Sequence, residues 1–96
     1  MLIVITQDEY DELEERSGEK ICPSGDYRKV KQFASNANYG YESIFPDGAK
    51  LGAGSKFGFG CEFGRGCEFG DGCRIQFGAK IGEGARMGKN VTIINE

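Results

Sequence analysis

The sequence contains no histidine and no tryptophan, and only 2 prolines in 96 residues. Without an imidazole, any mechanism built on a histidine base or a histidine-bound metal is excluded. No apolar run approaches the roughly 20 residues of a membrane-spanning helix. The stretch Met1-Leu2-Ile3-Val4-Ile5 is short and lacks the basic flank of a secretory leader. Charge of one sign is also scarce: 12 Lys+Arg against 15 Asp+Glu give a formal net charge of −3. Such a balance makes no field that gathers nucleic acid or anionic lipid, so neither direct nucleic-acid binding nor membrane attachment is expected. A core of this size is marginal alone, and assembly often supplements it. What the chain has in excess is glycine, 16 residues, with 7 Phe and 4 Cys. Glycine at that level requires either a repeat or disorder.

It is a repeat. In steps of six from Phe33, the first position holds Phe33, Tyr39, Phe45, Leu51, Phe57, Phe63, Phe69, Ile75, Ile81, Met87 and Ile93, all bulky and apolar or aromatic. The fifth position runs Ala37, Ser43, Ala49, Ser55, Cys61, Cys67, Cys73, Ala79, Ala85, Val91, all small. The second and fourth positions absorb 14 of the 16 glycines, a concentration that disorder would not produce. Small, charged, large and glycine in succession alternate in and out with the period of a strand. The third and fourth positions then form a corner, where Gly or Asn suits a left-handed backbone. Glu42 is the one corner residue that does not fit. Short strands turned every six residues describe a parallel β-helix.

Units such as Phe63-Gly-Arg-Gly-Cys-Glu, Ile81-Gly-Glu-Gly-Ala-Arg and Met87-Gly-Lys-Asn-Val-Thr resemble the hexapeptide repeats of left-handed parallel β-helix proteins. The resemblance spans positions 33–96 and implies triangular coils built from three units each, about three and a half coils here. It also implies a homotrimer packed with parallel axes. The family's acyltransferases use a histidine base and its carbonic anhydrases three histidine ligands, and this chain can supply neither. No enzyme, metal site or cofactor is therefore expected. The family's ice-binding variant needs ladders of threonine pairs, and Thr92 is the only threonine in the repeat.

Positions three units apart test the three-sided coil independently. Lys50–Glu68–Arg86, Glu62–Lys80, Asp47–Arg65–Glu83 and Asp71–Lys89 alternate in sign, and Lys56–Arg74 is the single like-charged step. Neighbours of this kind are each worth a few tenths to about 1 kcal/mol, which specifies register more than it holds a fold.

Residues 1–26 differ in kind from the hexapeptide-repeat domain, 27–96. Leu2 to Ile5 reads as a strand. Thr6 and Glu9 form a capping-box pattern opening a helix to about Arg16, stopped by Gly18. Residues 19–32 read as an irregular lead-in. Positions 1–26 carry 8 acids and 2 bases, and positions 27–96 carry 7 acids and 10 bases. Asp8, Asp11, Glu12, Glu14 and Glu15 therefore offer two readings: a solvated helix over the open end of the coil, or an acidic surface for a basic partner.

Cys61, Cys67 and Cys73 have no zinc-ligand spacing and occupy inward positions as small apolar groups. Cys22, outside the repeat, is expected to be the reactive thiol. Free core thiols suit a reducing, cytoplasmic setting. Tyr41, Phe59 and Phe77 share the third position at intervals of three units, forming an outward aromatic ladder on one corner, the expected interface. Glycine at the second position is expected to bare the flat sides for close approach by another chain. The expected function is a non-enzymatic protein-interaction module, an accessory or inhibitor protein, including one of phage type that blocks a host system. The alternatives are a degenerate acyltransferase-like ligand-binding protein and a self-assembling structural module.

Overall fold

The computed structural model describes residues Leu2–Ile94 and consists mainly of very short strands. In chain order these are β1 (Ile3–Val4), the helix α1 (Gln7–Asp11), β2 (Glu15–Arg16), β3 (Glu19–Cys22), β4 (Gly25–Asp26) and β5 (Ala37–Tyr39). From there a two-residue strand recurs every six residues: β6 (Ile44–Phe45), β7 (Lys50–Leu51), β8 (Lys56–Phe57), β9 (Glu62–Phe63), β10 (Glu68–Phe69), β11 (Arg74–Ile75), β12 (Lys80–Ile81), β13 (Arg86–Met87) and β14 (Thr92–Ile93). Three sheets result, ordered β1-β4-β6-β9-β12, β13-β10-β7 and β14-β11-β8-β5-β3-β2. All pairings are parallel except β2 with β3. The chain is a three-sided parallel β-solenoid of about five turns, more than the three and a half coils expected, because β1, β3 and β4 add strands ahead of the repeat.

Register follows the repeat. Glu62 lies opposite Lys80, Glu68 between Lys50 and Arg86, and Arg74 opposite Lys56. The inward first positions stack as a column of rings: Phe57 lies 5.0 Å from Tyr39 in parallel, and Phe63 lies 5.1 Å from Phe45. Between columns the rings meet edge to face, as Phe57 with Phe63 and Phe63 with Phe69. Such contacts add roughly 0.5–1.5 kcal/mol each beyond the apolar area buried. The small fifth-position residues leave room for them: Cys61, Cys67, Cys73, Ser43 and Ser55 are fully buried.

Every fourth-position residue from Asn36 to Asn90 has positive φ, Glu42 included at 57°. Glu42 is held there because its amide donates to the Phe59 carbonyl at 2.8 Å, the corner bond that Gly48 and Gly54 make in their own turns. The local preference of glutamate yields to the ladder.

Three further features depart from the sequence reading. The helix stops at Asp11 rather than Arg16, because Glu15–Arg16 turns back on Glu19–Cys22 as a hairpin. Its two-residue loop, Ser17-Gly18, has positive φ at both residues, the geometry that matches strand twist, so Gly18 serves a turn and not a helix end. The helix terminus is instead closed by Lys20, whose buried ammonium donates to the Tyr10 carbonyl at 3.0 Å and reaches those of Asp11 and Leu13. A cation there also meets the negative end of the helix dipole.

Second, residues 19–32 are not an irregular lead-in throughout, since β3 and β4 hydrogen-bond into the same sheets as the repeat. Tyr10 from α1 seats on the rings of Tyr27, Phe33 and Tyr39 at the N-terminal end of the core. Third, among the described residues the charge ladders keep their register without closing into ion pairs. Asp47 and Asp71 instead accept from the amides of Arg65 and Lys89 one turn on, at 2.9 and 2.8 Å. Lys56 avoids the like-charged step by reaching Glu19 at 3.1 Å.

Candidate functional site

The third position of each unit projects from a corner, so residues three units apart stand one above another. Tyr41, Phe59 and Phe77 do so, with ring centroids 5.2 and 5.5 Å apart and exposures of 52, 43 and 38 %. The lower pair is tilted at 45° and the upper stacked at 7°. Large exposed rings in a continuous column are a costly surface for an isolated chain and a usual mark of an interface.

Beside the column lies a groove of about 670 Å³, lined among others by Ile3, Tyr41, Glu42, Ile44, Glu62 and Lys80. Ile44 belongs to this site and is the residue that sequence reasoning passed over. It is a half-buried apolar residue at an outward sixth position, where charged residues predominate. Ile3, exposed by 67 %, lines the same groove from β1. Glu62 and Lys80 face each other across the ladder at its far side.

The five acidic residues expected to meet a partner are all exposed but do not form one helical face. Asp8 and Asp11 lie on α1, Glu12 is its C-terminal cap, Glu14 sits in the following loop and Glu15 on β2. The Gln7 side chain donates to Asp11 and to the Gln32 carbonyl and accepts the amides of Lys31 and Gln32, fastening α1 to the chain that leads into the repeat.

Second-position glycine answers a need within the chain. A Cβ added at Gly58 would come within 2.7 Å of the Tyr41 amide nitrogen, and one at Gly70 within 2.5 Å of that of Ala53. The corner of the preceding turn occupies that space.

The expectation that Cys22 is reactive is overturned. Cys22 is 3 % exposed on the inward face of β3, opposite Tyr39 in register, and burial pushes its thiol up to about 12. Burial also raises Cys61, to about 11, and raises Cys67 and Cys73; each of these three donates weakly to a carbonyl of the preceding turn. A neutral buried thiol is a poor nucleophile and a poor metal ligand. Among the described residues no group of three or more Cys, Asp or Glu is placed to hold a metal ion. None of their helices is long and apolar enough to cross a membrane. No protein-family model, curated protein or solved structure matches the chain.

Proposed function

We propose that this chain is a non-enzymatic interaction module: a left-handed, hexapeptide-type β-helix that associates side by side, as a trimer, through the Tyr41–Phe59–Phe77 corner. The carrying observation is the exposed aromatic column with its adjoining groove. Rings fixed to a rigid corner lose little conformational freedom on binding, so their burial converts efficiently into affinity. Left-handed winding is favoured by the unbroken run of positive φ at the fourth position in ten successive units. In this reading α1 caps the N-terminal end of the core through Tyr10, and its acidic residues face outward toward a basic macromolecular partner. The rigid prism displays both surfaces, which suits an accessory or inhibitory protein acting in the cytoplasm.

Light scattering tests the corner. Wild type is expected at a multiple of the 10.5 kDa chain mass, and Phe59→Asp at a smaller multiple with an unchanged circular-dichroism spectrum. An unaltered mass for that variant refutes the proposal.

A further inference from the structure

The exposed ring column is a ridge, and the groove beside it runs past all three rings. The floor of that groove is the corner itself, where Glu42, Gly60 and Gly78 directly follow Tyr41, Phe59 and Phe77 in the chain. These three lie one above another: a Cβ built on Gly60 would meet the Glu42 side chain at 3.2 Å, and one on Gly78 the Gly60 backbone at 3.5 Å. Gly60 and Gly78 have no side chain, so the floor is sunk between two walls. Tyr41 stands in one wall. The other is formed by Ile44, Glu62 and Lys80, in register on β6, β9 and β12.

Area decides how such a ridge can be covered. Rings of this kind bury about 150–250 Å² each when fully enclosed. At exposures of 52, 43 and 38 % the three together have roughly 200–330 Å² left to give. Two ridges meeting edge to edge would bury about twice that, short of the roughly 1,000 Å² that a specific contact needs. A ridge seated in a groove is covered on both flanks and buries the floor and walls as well.

We infer that the groove of one copy receives the Tyr41–Phe59–Phe77 ridge of the next, about a rotation axis parallel to the solenoid. This rests on the reading of that corner as the contact and adds the surface it meets. Rotation about such an axis leaves heights unchanged, so each turn meets the same turn of its partner. Glu62 and Lys80, 18 residues apart, are one turn apart. Three residues along the chain therefore rise by only about 0.8 Å. Tyr41 stands level with the partner's Ile44, Phe59 with the partner's Glu62, and Phe77 with the partner's Lys80. The first pairing is apolar. In the second, the Phe59 ring, stacked on Phe77, offers its electropositive edge to a carboxylate. In the third, the lysine stem lies along the ring and its ammonium stays in water. A two-fold axis perpendicular to the solenoid would instead set ridge on ridge and leave both grooves empty.

Light scattering on groove variants of the full chain, alone and mixed, tests the arrangement. Ile44→Glu puts a charge on the groove wall and Gly78→Asn a side chain on its floor. Each is a residue that the repeat itself carries at that position, as Glu62 and Asn90 do. Both leave the ridge intact, and both are expected to fall to the single-chain mass with an unchanged circular-dichroism spectrum, as Phe59→Asp does. Mixing Phe59→Asp with Ile44→Glu is expected to restore a species at twice the chain mass, because the first keeps its groove and the second its ridge. Groove variants that hold the wild-type mass while Phe59→Asp falls, or a mixture that stays at the single-chain mass, overturn this inference and leave the corner standing as the contact. A Phe59→Asp chain that holds the wild-type mass overturns the corner reading and this inference together. Wild type at the single-chain mass does the same and leaves the groove to a different protein.

Discussion

The hydroxyl groups of Tyr10 and Tyr39 lie 2.8 Å apart inside the protein, joining α1 to the first fully regular turn. Tyr10 also accepts the Ala34 amide at 2.9 Å, and its ring stacks on Tyr39 at 15°. Tyr10→Phe keeps the rings in place and leaves both partners unsatisfied. It is expected to cost about 1–3 kcal/mol in urea unfolding, more than its lost contact area would suggest.

Glu42 occupies a left-handed corner position that glycine or asparagine holds in every other unit of the repeat. Glu42→Asn relieves that conformation, makes no new contact, and is expected to stabilise by about 0.5–1 kcal/mol. A fall in the unfolding midpoint would show that glutamate contributes something beyond its backbone bond.

Two glycine substitutions separate crowding from backbone preference. Gly66 has φ 69° with nothing within 4 Å of an added Cβ, so Gly66→Ala should cost about 1–2 kcal/mol from conformation alone. Gly58 has ordinary φ but faces the backbone of Tyr41, so Gly58→Ala must push two turns apart and should cost about 1–3 kcal/mol or more. The same calorimeter run on both reads the difference.

Alkaline pH should unfold the protein through its thiols. An unfolded cysteine loses its proton near pH 8.5, whereas Cys22 and Cys61 hold theirs to about 12 and about 11 in the folded chain. Above pH 8.5 the unfolded state therefore binds fewer protons, and stability that is complete below that pH declines as pH rises toward 11. The slope approaches about 1.4 kcal/mol per pH unit for each such group. Burial of the Tyr10, Tyr27 and Tyr39 phenols adds to the same trend at higher pH. Ellman's reagent should find no fast-reacting thiol at pH 8 until denaturant is added.

The repeat was legible because one residue type per position carries one physical demand. Bulk points inward, glycine sits where a neighbouring turn leaves no room for Cβ, and positive φ falls at the corner. The chain before it was harder because the period breaks: Asp26 pairs with Ile44, three full units on, but Cys22 pairs with Tyr39, one position short of that interval. That single-residue slip between Cys22 and Asp26 removed β3 from the six-residue frame, and with it the inward placement of Cys22, whereas β4 stays in phase with the repeat. The hairpin was hidden by the acidic run, which reads as helix, although Ser17-Gly18 is a two-residue turn signal. Tyr41, Phe59 and Phe77 were legible as a column from spacing alone. The groove was not, since it needs Ile3 of the first strand and Ile44 of the repeat, far apart in the chain, to lie on one side.

The strict bonding of each turn to the turns directly before and after it has a consequence for how such a chain can change. Copying residues 51–68 in place would insert one further layer, lengthen the rod by about 4.8 Å, and return every later side chain to the face it left. A six-residue copy would instead rotate everything beyond it by one side of the triangle, parting Phe77 from Phe59 and Tyr41. Growth in whole layers thus preserves a surface, and growth in single units reshuffles it.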